Sequence, residues 1–158
     1  MKTLATLALL LLAGIGANAF SGNTNFDRLK TLVGEWEAAG PEGTTHISIQ
    51  LVSGGTALLE NMGAASNNMV TMYHPDGDGV LMTHYCAAGN QPRMRVQKSD
   101  AGSITFQFVD AGNLKSRDDG HMQRLTIKFQ DSDHVIEEWT WKEKGKERTS
   151  AFNMRRVK

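Results

Sequence analysis

Cysteine is almost missing from this chain of 158 residues: Cys86 stands alone. One thiol cannot close an internal disulfide, even in an oxidising compartment that permits them, so stability must come from an apolar core. Long apolar runs are missing too. The longest apolar stretch, residues 4–13 of Leu and Ala with one Thr, is shorter than the ~20 residues a bilayer-spanning helix needs. Neither sign of charge is in excess, with 17 Lys+Arg against 17 Asp+Glu, and no basic run or stripe occurs. Nucleic acid and anionic membrane surfaces therefore find no electrostatic footprint. No Gly-x-Ser-x-Gly elbow, phosphate loop or His-Glu-x-x-His is present, so the common hydrolase and nucleotide readings lack support. Asp76-Gly77-Asp78-Gly79 lacks the downstream Glu that a calcium loop requires, and it reads as a hairpin turn.

The opening residues form a three-part leader. Lys2 supplies positive charge, residues 4–13 are the apolar centre, and Ala17-Asn18-Ala19 is the small-x-small pattern that a signal peptidase reads. Residues 1–19 are expected to be a cleavable signal peptide. Phe20 sits where a lipoprotein would need Cys, so no membrane anchor is expected after cleavage. The mature part, 20–158, is expected to be one domain, periplasmic or secreted, with a net charge of about −1 once Lys2 is gone.

The mature chain opens with a polar stretch, 21–25, and then a short helical turn. Asn25 is a candidate cap, Phe26, Leu29, Leu32 and Val33 share a face, and Gly34 can end the turn. Beyond it the pattern has period two. Ile47, Ile49 and Leu51 alternate with polar residues, as do Ile104, Phe106 and Phe108, and Leu125, Ile127 and Phe129. Strands with one face on a core and the other in water need this alternation. Turn signals such as Ser53-Gly54-Gly55, Asp100-Ala101-Gly102 and Lys144-Gly145-Lys146 punctuate the runs. About ten strands follow, near 35–39, 45–53, 56–62, 69–74, 80–86, 93–98, 103–109, 121–130, 134–142 and 148–157. The fold expected is all-β, an antiparallel up-and-down barrel, with an open two-sheet sandwich as the alternative. The longer connections, 63–68 and 110–120, would lie at a rim.

Several segments carry a resemblance. They include Leu32-Val33-Gly34-Glu35-Trp36, Ser53 to Glu60, Thr83-His84-Tyr85-Cys86 with Gly89-Asn90-Gln91-Pro92-Arg93, His121-Met122-Gln123-Arg124-Leu125, and Glu138-Trp139-Thr140-Trp141. Together, over nearly all of 26–157, they resemble a bacterial family of exported lipocalin-like proteins of unknown function, within the calycin superfamily. The resemblance implies a ligand-holding barrel with Trp36 packed across its closed end. Nitrobindin-type haem barrels are more distant, and no motif here transfers their haem ligand.

Six residues are candidates for a cavity lining: Glu60, His84, Cys86, Arg93, His121 and Trp139. Val80, Met82, His84 and Cys86 share a strand face, taken as inward. His84 and Cys86 then form either half of a soft metal site, a thiolate–imidazolium pair, or plain core packing. Glu60, on the Leu58/Met62 face, would be a buried carboxylate needing a partner, with Arg93 or Arg95 available. His121 extends the Leu125/Ile127 face. Trp139 and Trp141 share a face with Val135 and form either a cavity wall or core. His46 and His134 are expected in solvent, and His74, in phase with Val70 and Met72, is expected near a rim. The leading expectation is a binding module for a small apolar or amphipathic molecule. The alternatives are a barrel enzyme using interior Glu or His as acid/base, and a haem or metal binder. No motif names a cofactor, a catalytic residue or an oligomeric state.

Overall fold

The computed structural model describes residues 23–40, 43–63 and 68–157. The expected signal peptide lies outside the described residues, as do parts of the turn at 40–43 and of the connection at 63–68.

Ten strands follow one short helix: α1 (Thr24–Lys30), β1 (Gly34–Gly40), β2 (Gly43–Val52), β3 (Ala57–Met62), β4 (Met69–Asp76), β5 (Gly79–Tyr85), β6 (Gln91–Ser99), β7 (Ser103–Gly112), β8 (His121–Phe129), β9 (His134–Glu143) and β10 (Lys146–Arg156). Each strand pairs antiparallel with the next, and β1 pairs with β10 through Trp36↔Arg156 and Ala38↔Met154. The sheet is thus a closed up-and-down barrel rather than an open sandwich. Closure gives every strand two partners, which leaves no edge to template aggregation.

The alternation in the sequence becomes inside and outside. Ile47 and Ile49, Val80 and Met82, Ile104 and Phe106, and Leu125 and Ile127 are all buried, while the residues between them, Ser48, Leu81, Thr105 and Thr126, are half-buried on the outer face. Leu51 departs from the pattern: at the far end of β2, beside Gly55, it is exposed at the rim. His46, His74 and His134 are exposed. His74 has the outer-face parity of Val70 and Met72, while Thr71 and Tyr73 point in.

One end of the barrel is plugged. Phe26 and Leu29 of α1, with Leu32, join the same core as Val80, Ile104, Ile127 and Met154. Trp36 lies across this end, its indole N–H donating to the Leu32 carbonyl at 2.8 Å. The Arg156 guanidinium covers its ring at 4.1 Å and donates to the carbonyls of Val33 and Thr31. Two expectations about the helix are corrected here. Its cap is Asn23, not Asn25, because Asn23 Oδ1 accepts from the Phe26 N–H at 3.0 Å. Val33 is exposed rather than buried, because the helix ends at Lys30 and Val33 sits in the extended entry to β1.

Asn23 also donates to the Gly79 carbonyl at 2.6 Å, tying the helix to the β4–β5 hairpin. Asn23→Ala removes both bonds and should cost about 1–2 kcal/mol in denaturant unfolding. A loss within 0.3 kcal/mol of zero would show that the plug is held by its apolar face alone.

Candidate functional site

The other end of the barrel is open, and its walls are the mouth-side ends of β3, β4, β5, β8, β9 and β10. There a cavity of about 170 Å³ enters the barrel. Its sides are the thioethers of Met62, Met69 and Met122 and the rings of Trp139, Trp141 and Phe152. His84 and Trp139 lie deepest, their rings 4.6 Å apart and tilted by 42°. Ser150 and Arg148 complete the wall on β10, in register with Trp139 and Trp141. Even-numbered residues of β10 from Met154 back to Arg148 share the inner face, so Arg148 is an inward-facing cation at the rim. It makes no ion pair among the described residues, whereas its neighbour Glu147 on the outer face pairs with Arg124.

The 113–120 connection lies over this end. Lys144 N–H donates to the Asp118 carbonyl at 2.9 Å, and the Asn90 amide donates to the Gly120 carbonyl at 2.8 Å. Gly120 rests so close to the Trp141 indole that any β-carbon there would overlap the ring. This is the position where a glycine is required by approach rather than by φ.

His84 is 2 % exposed. Its Nδ1 is 3.0 Å from Thr71 Oγ1, while Nε2 is buried and has no hydrogen-bond partner. Burial lowers its pKa from 6.5 to about 4, so the imidazole is neutral at physiological pH. A neutral imidazole carries one donor and one acceptor nitrogen. Nε2 is then either a bare lone pair or an unused N–H, and in both cases it is an unsatisfied group of the sort that native interiors rarely leave.

Beneath this floor sits a buried acidic pair. Glu60 accepts from the Tyr73 hydroxyl at 2.8 Å, and Glu137 accepts from the Trp139 indole N–H at 3.0 Å. Desolvation, then the nearby Glu137 charge, push Glu60 well above the usual carboxylate range, against the opposing Tyr73 bond. Desolvation pushes Glu137 up to about 7, with the Trp139 N–H opposing. Burial, followed by both carboxylates, also raises Tyr73, so the phenol stays neutral. Neither carboxylate has a cationic partner among the described residues, and Glu137 Oε1 has no partner at all.

His84 and Trp139 are therefore together at the cavity, and Glu60 is buried inside the barrel below it. The other candidates lie elsewhere. Arg93 is on the outer face, where its guanidinium grips Asp110 through bonds of 2.6 and 2.5 Å. Arg95 pairs with Asp76 outside. An arginine partner for Glu60 is thus corrected: Pro92, Met94 and Val96 take the inner face of β6, which turns both arginines out. Cys86 is half-buried just past β5, in a turn closed by its own N–H to the Asn90 carbonyl at 3.1 Å. No hydrogen bond joins its thiol to His84, whose Nδ1 is on Thr71 and whose Nε2 has no partner among the described residues. His121 is buried but packs on Phe108 at 4.5 Å, with Nδ1 on the Asp119 carbonyl and Nε2 on Gln123. It orders its own loop and does not line the cavity. No group of three or more His, Cys, Asp or Glu among the described residues is placed to hold a metal ion. A volume of 170 Å³ is also below the roughly 300–1,000 Å³ of sites that take drug-sized molecules and cofactors, so a haem does not fit this cavity as it stands.

Sequence reasoning did not single out Glu137, Met122 or Arg148. Glu137 shares the parity of Val135, Trp139 and Trp141 and was readable from it. Met122 was not, because a register shift between Met122 and Arg124 breaks the period of two and sets Met122 opposite Trp141. No protein-family model matches the chain, and no curated protein matches it.

Proposed function

We propose that this is an exported, lipocalin-like binding module that takes a small, partly apolar ligand into the open end of its barrel. One observation carries the reading: the His84 ring lies in the floor of a cavity walled mainly by thioethers and aromatic rings, and its Nε2 is buried without a hydrogen-bond partner. An interior polar atom without a partner costs roughly 1–3 kcal/mol, which a ligand hydrogen bond would recover. The walls suit a guest of modest size, since an apolar cavity of roughly 150 Å³ admits a benzene-sized molecule. The leader-like residues 1–19 support export, and the barrel closed at one end by Trp36 supports the calycin-like reading.

Ser150 offers the test. It lines the cavity yet is exposed, so Ser150→Trp fills the space at little cost to the fold. Native mass spectrometry of protein from its producing compartment should show a small bound molecule in the wild type and none in the variant. Equal masses for folded and unfolded wild-type protein, together with no ring-sized probe binding in titration, would end the proposal.

A further inference from the structure

The geometry points to a compact aromatic hydroxy acid as the class of ligand this cavity takes. Its carboxylate would sit at Arg148, its ring among the indoles and thioethers, and its hydroxyl at His84 Nε2. This rests on the binding-module reading above and adds the chemistry of the occupant.

Two polar features bracket an apolar middle. At the rim, Arg148 is on the inner face of β10 without an ion pair among the described residues. A planar guanidinium in that position is made to grip a carboxylate through two parallel bonds. At the floor, His84 Nε2 is the unsatisfied atom, and a hydroxyl can meet either tautomer because it both donates and accepts. Between them, Trp139, Trp141 and Phe152 offer flat apolar surface, against which a ring packs by offset stacking or edge contact.

The two polar ends stand at different heights in the barrel. His84 stacks on Trp139, which is the register partner of Ser150, and Arg148 is two residues nearer the mouth, opposite Trp141. Two residues of strand rise about 7 Å, and barrel tilt shortens this to roughly 5 Å along the axis. A para-substituted ring with a hydrogen bond at each end needs roughly 12 Å between the two protein atoms, so the flexible Arg148 side chain has to supply the remaining reach toward the mouth. A long acyl chain has no room in 170 Å³. The surface groove next to the rim, which shares Trp141 and Arg148 with the cavity, carries Lys144 and Lys146 alongside Glu143 and Glu147, so it is close to balanced in charge and the pull on an anion comes from Arg148 itself.

Titration of the mature protein with 4-hydroxybenzoate, benzoate and phenol, read by tryptophan fluorescence, separates the terms. Each polar end should contribute about tenfold, so 4-hydroxybenzoate should bind at least about tenfold tighter than benzoate and than phenol. Arg148→Gln, at an exposed position, should weaken both acids about tenfold and leave phenol unchanged. If phenol binds as tightly as the acids, or Arg148→Gln leaves the acids unaffected, the anion assignment fails while the binding module stands. Benzoate equal to 4-hydroxybenzoate overturns the His84 contact. If none of the three binds, the ligand class and the ring-sized binding module fall together.

Discussion

Unfolding free energies measured across pH should fall as pH rises from about 4.5 to about 7, the reverse of ordinary acid denaturation. Glu60 and Glu137 are carboxylic acids in the fold and ionise more readily once unfolded. Between the unfolded value of 4.5 and the folded value, the native state holds a proton that the unfolded chain has released. Stability therefore decreases with pH over that span and is fully present only below 4.5. For Glu137, raised to about 7, the difference is about 2.5 units, or about 3 kcal/mol at 1.36 kcal/mol per unit. Glu60 adds to it in the same direction.

His84 works the other way. Its folded pKa of about 4 lies below the unfolded 6.5, so the unfolded chain binds the extra proton and stability rises with pH between those values. From 4.5 to 6.5 it offsets one of the two carboxylates; above 6.5 that offset ends, so the decline should steepen between there and about 7, where Glu137 ionises in the fold as well. Asp100, Asp110 and Asp131 are lowered, and they act only below the carboxylate range. The double variant Glu60→Gln with Glu137→Gln should reverse the slope between pH 4 and 6.5, leaving His84 alone. A wild-type profile that is flat or rising between pH 4.5 and 7 would contradict the buried acidic pair.

Trp36→Ala should cost about 3–5 kcal/mol, the usual range for emptying a buried tryptophan site. The indole is 1 % exposed, and it supplies the hydrogen bond to Leu32 and the surface on which Arg156 lies. Removing it opens the plugged end and frees the guanidinium that ties β10 to the α1–β1 connection. Because the cavity is at the opposite end, probe affinity should change by less than about twofold wherever the variant remains folded. Denaturant midpoints and fluorescence titration on one preparation check both statements. A cost under 1 kcal/mol would mean that the helix, not Trp36, closes the barrel.

Much of this arrangement is local in origin. The inward run of Val80, Met82 and His84, the turn at Asp76–Gly79 and the apolar face of Leu125 and Ile127 follow from side chains alternating across a strand. The same rule exposes Glu137 beside Trp139, and it sends Arg93 outward, since Pro92, Met94 and Val96 hold the inner parity. It fails at Met122, where the bulge resets the phase, and at Asn23, where capping depends on which residue first leaves the extended conformation.

Alternation and turns thus determine a series of antiparallel strands with one apolar face, and one cysteine determines that no internal disulfide staples them. Which inward groups meet was decided only by closure. Glu60 on β3 and Glu137 on β9 are distant in the chain, and so are His84 on β5 and Arg148 on β10. Period two assigns a residue to a face but not to a height or a direction around the axis. Curvature, strand tilt and the pairing of β1 with β10 set those two coordinates, and with them the cavity.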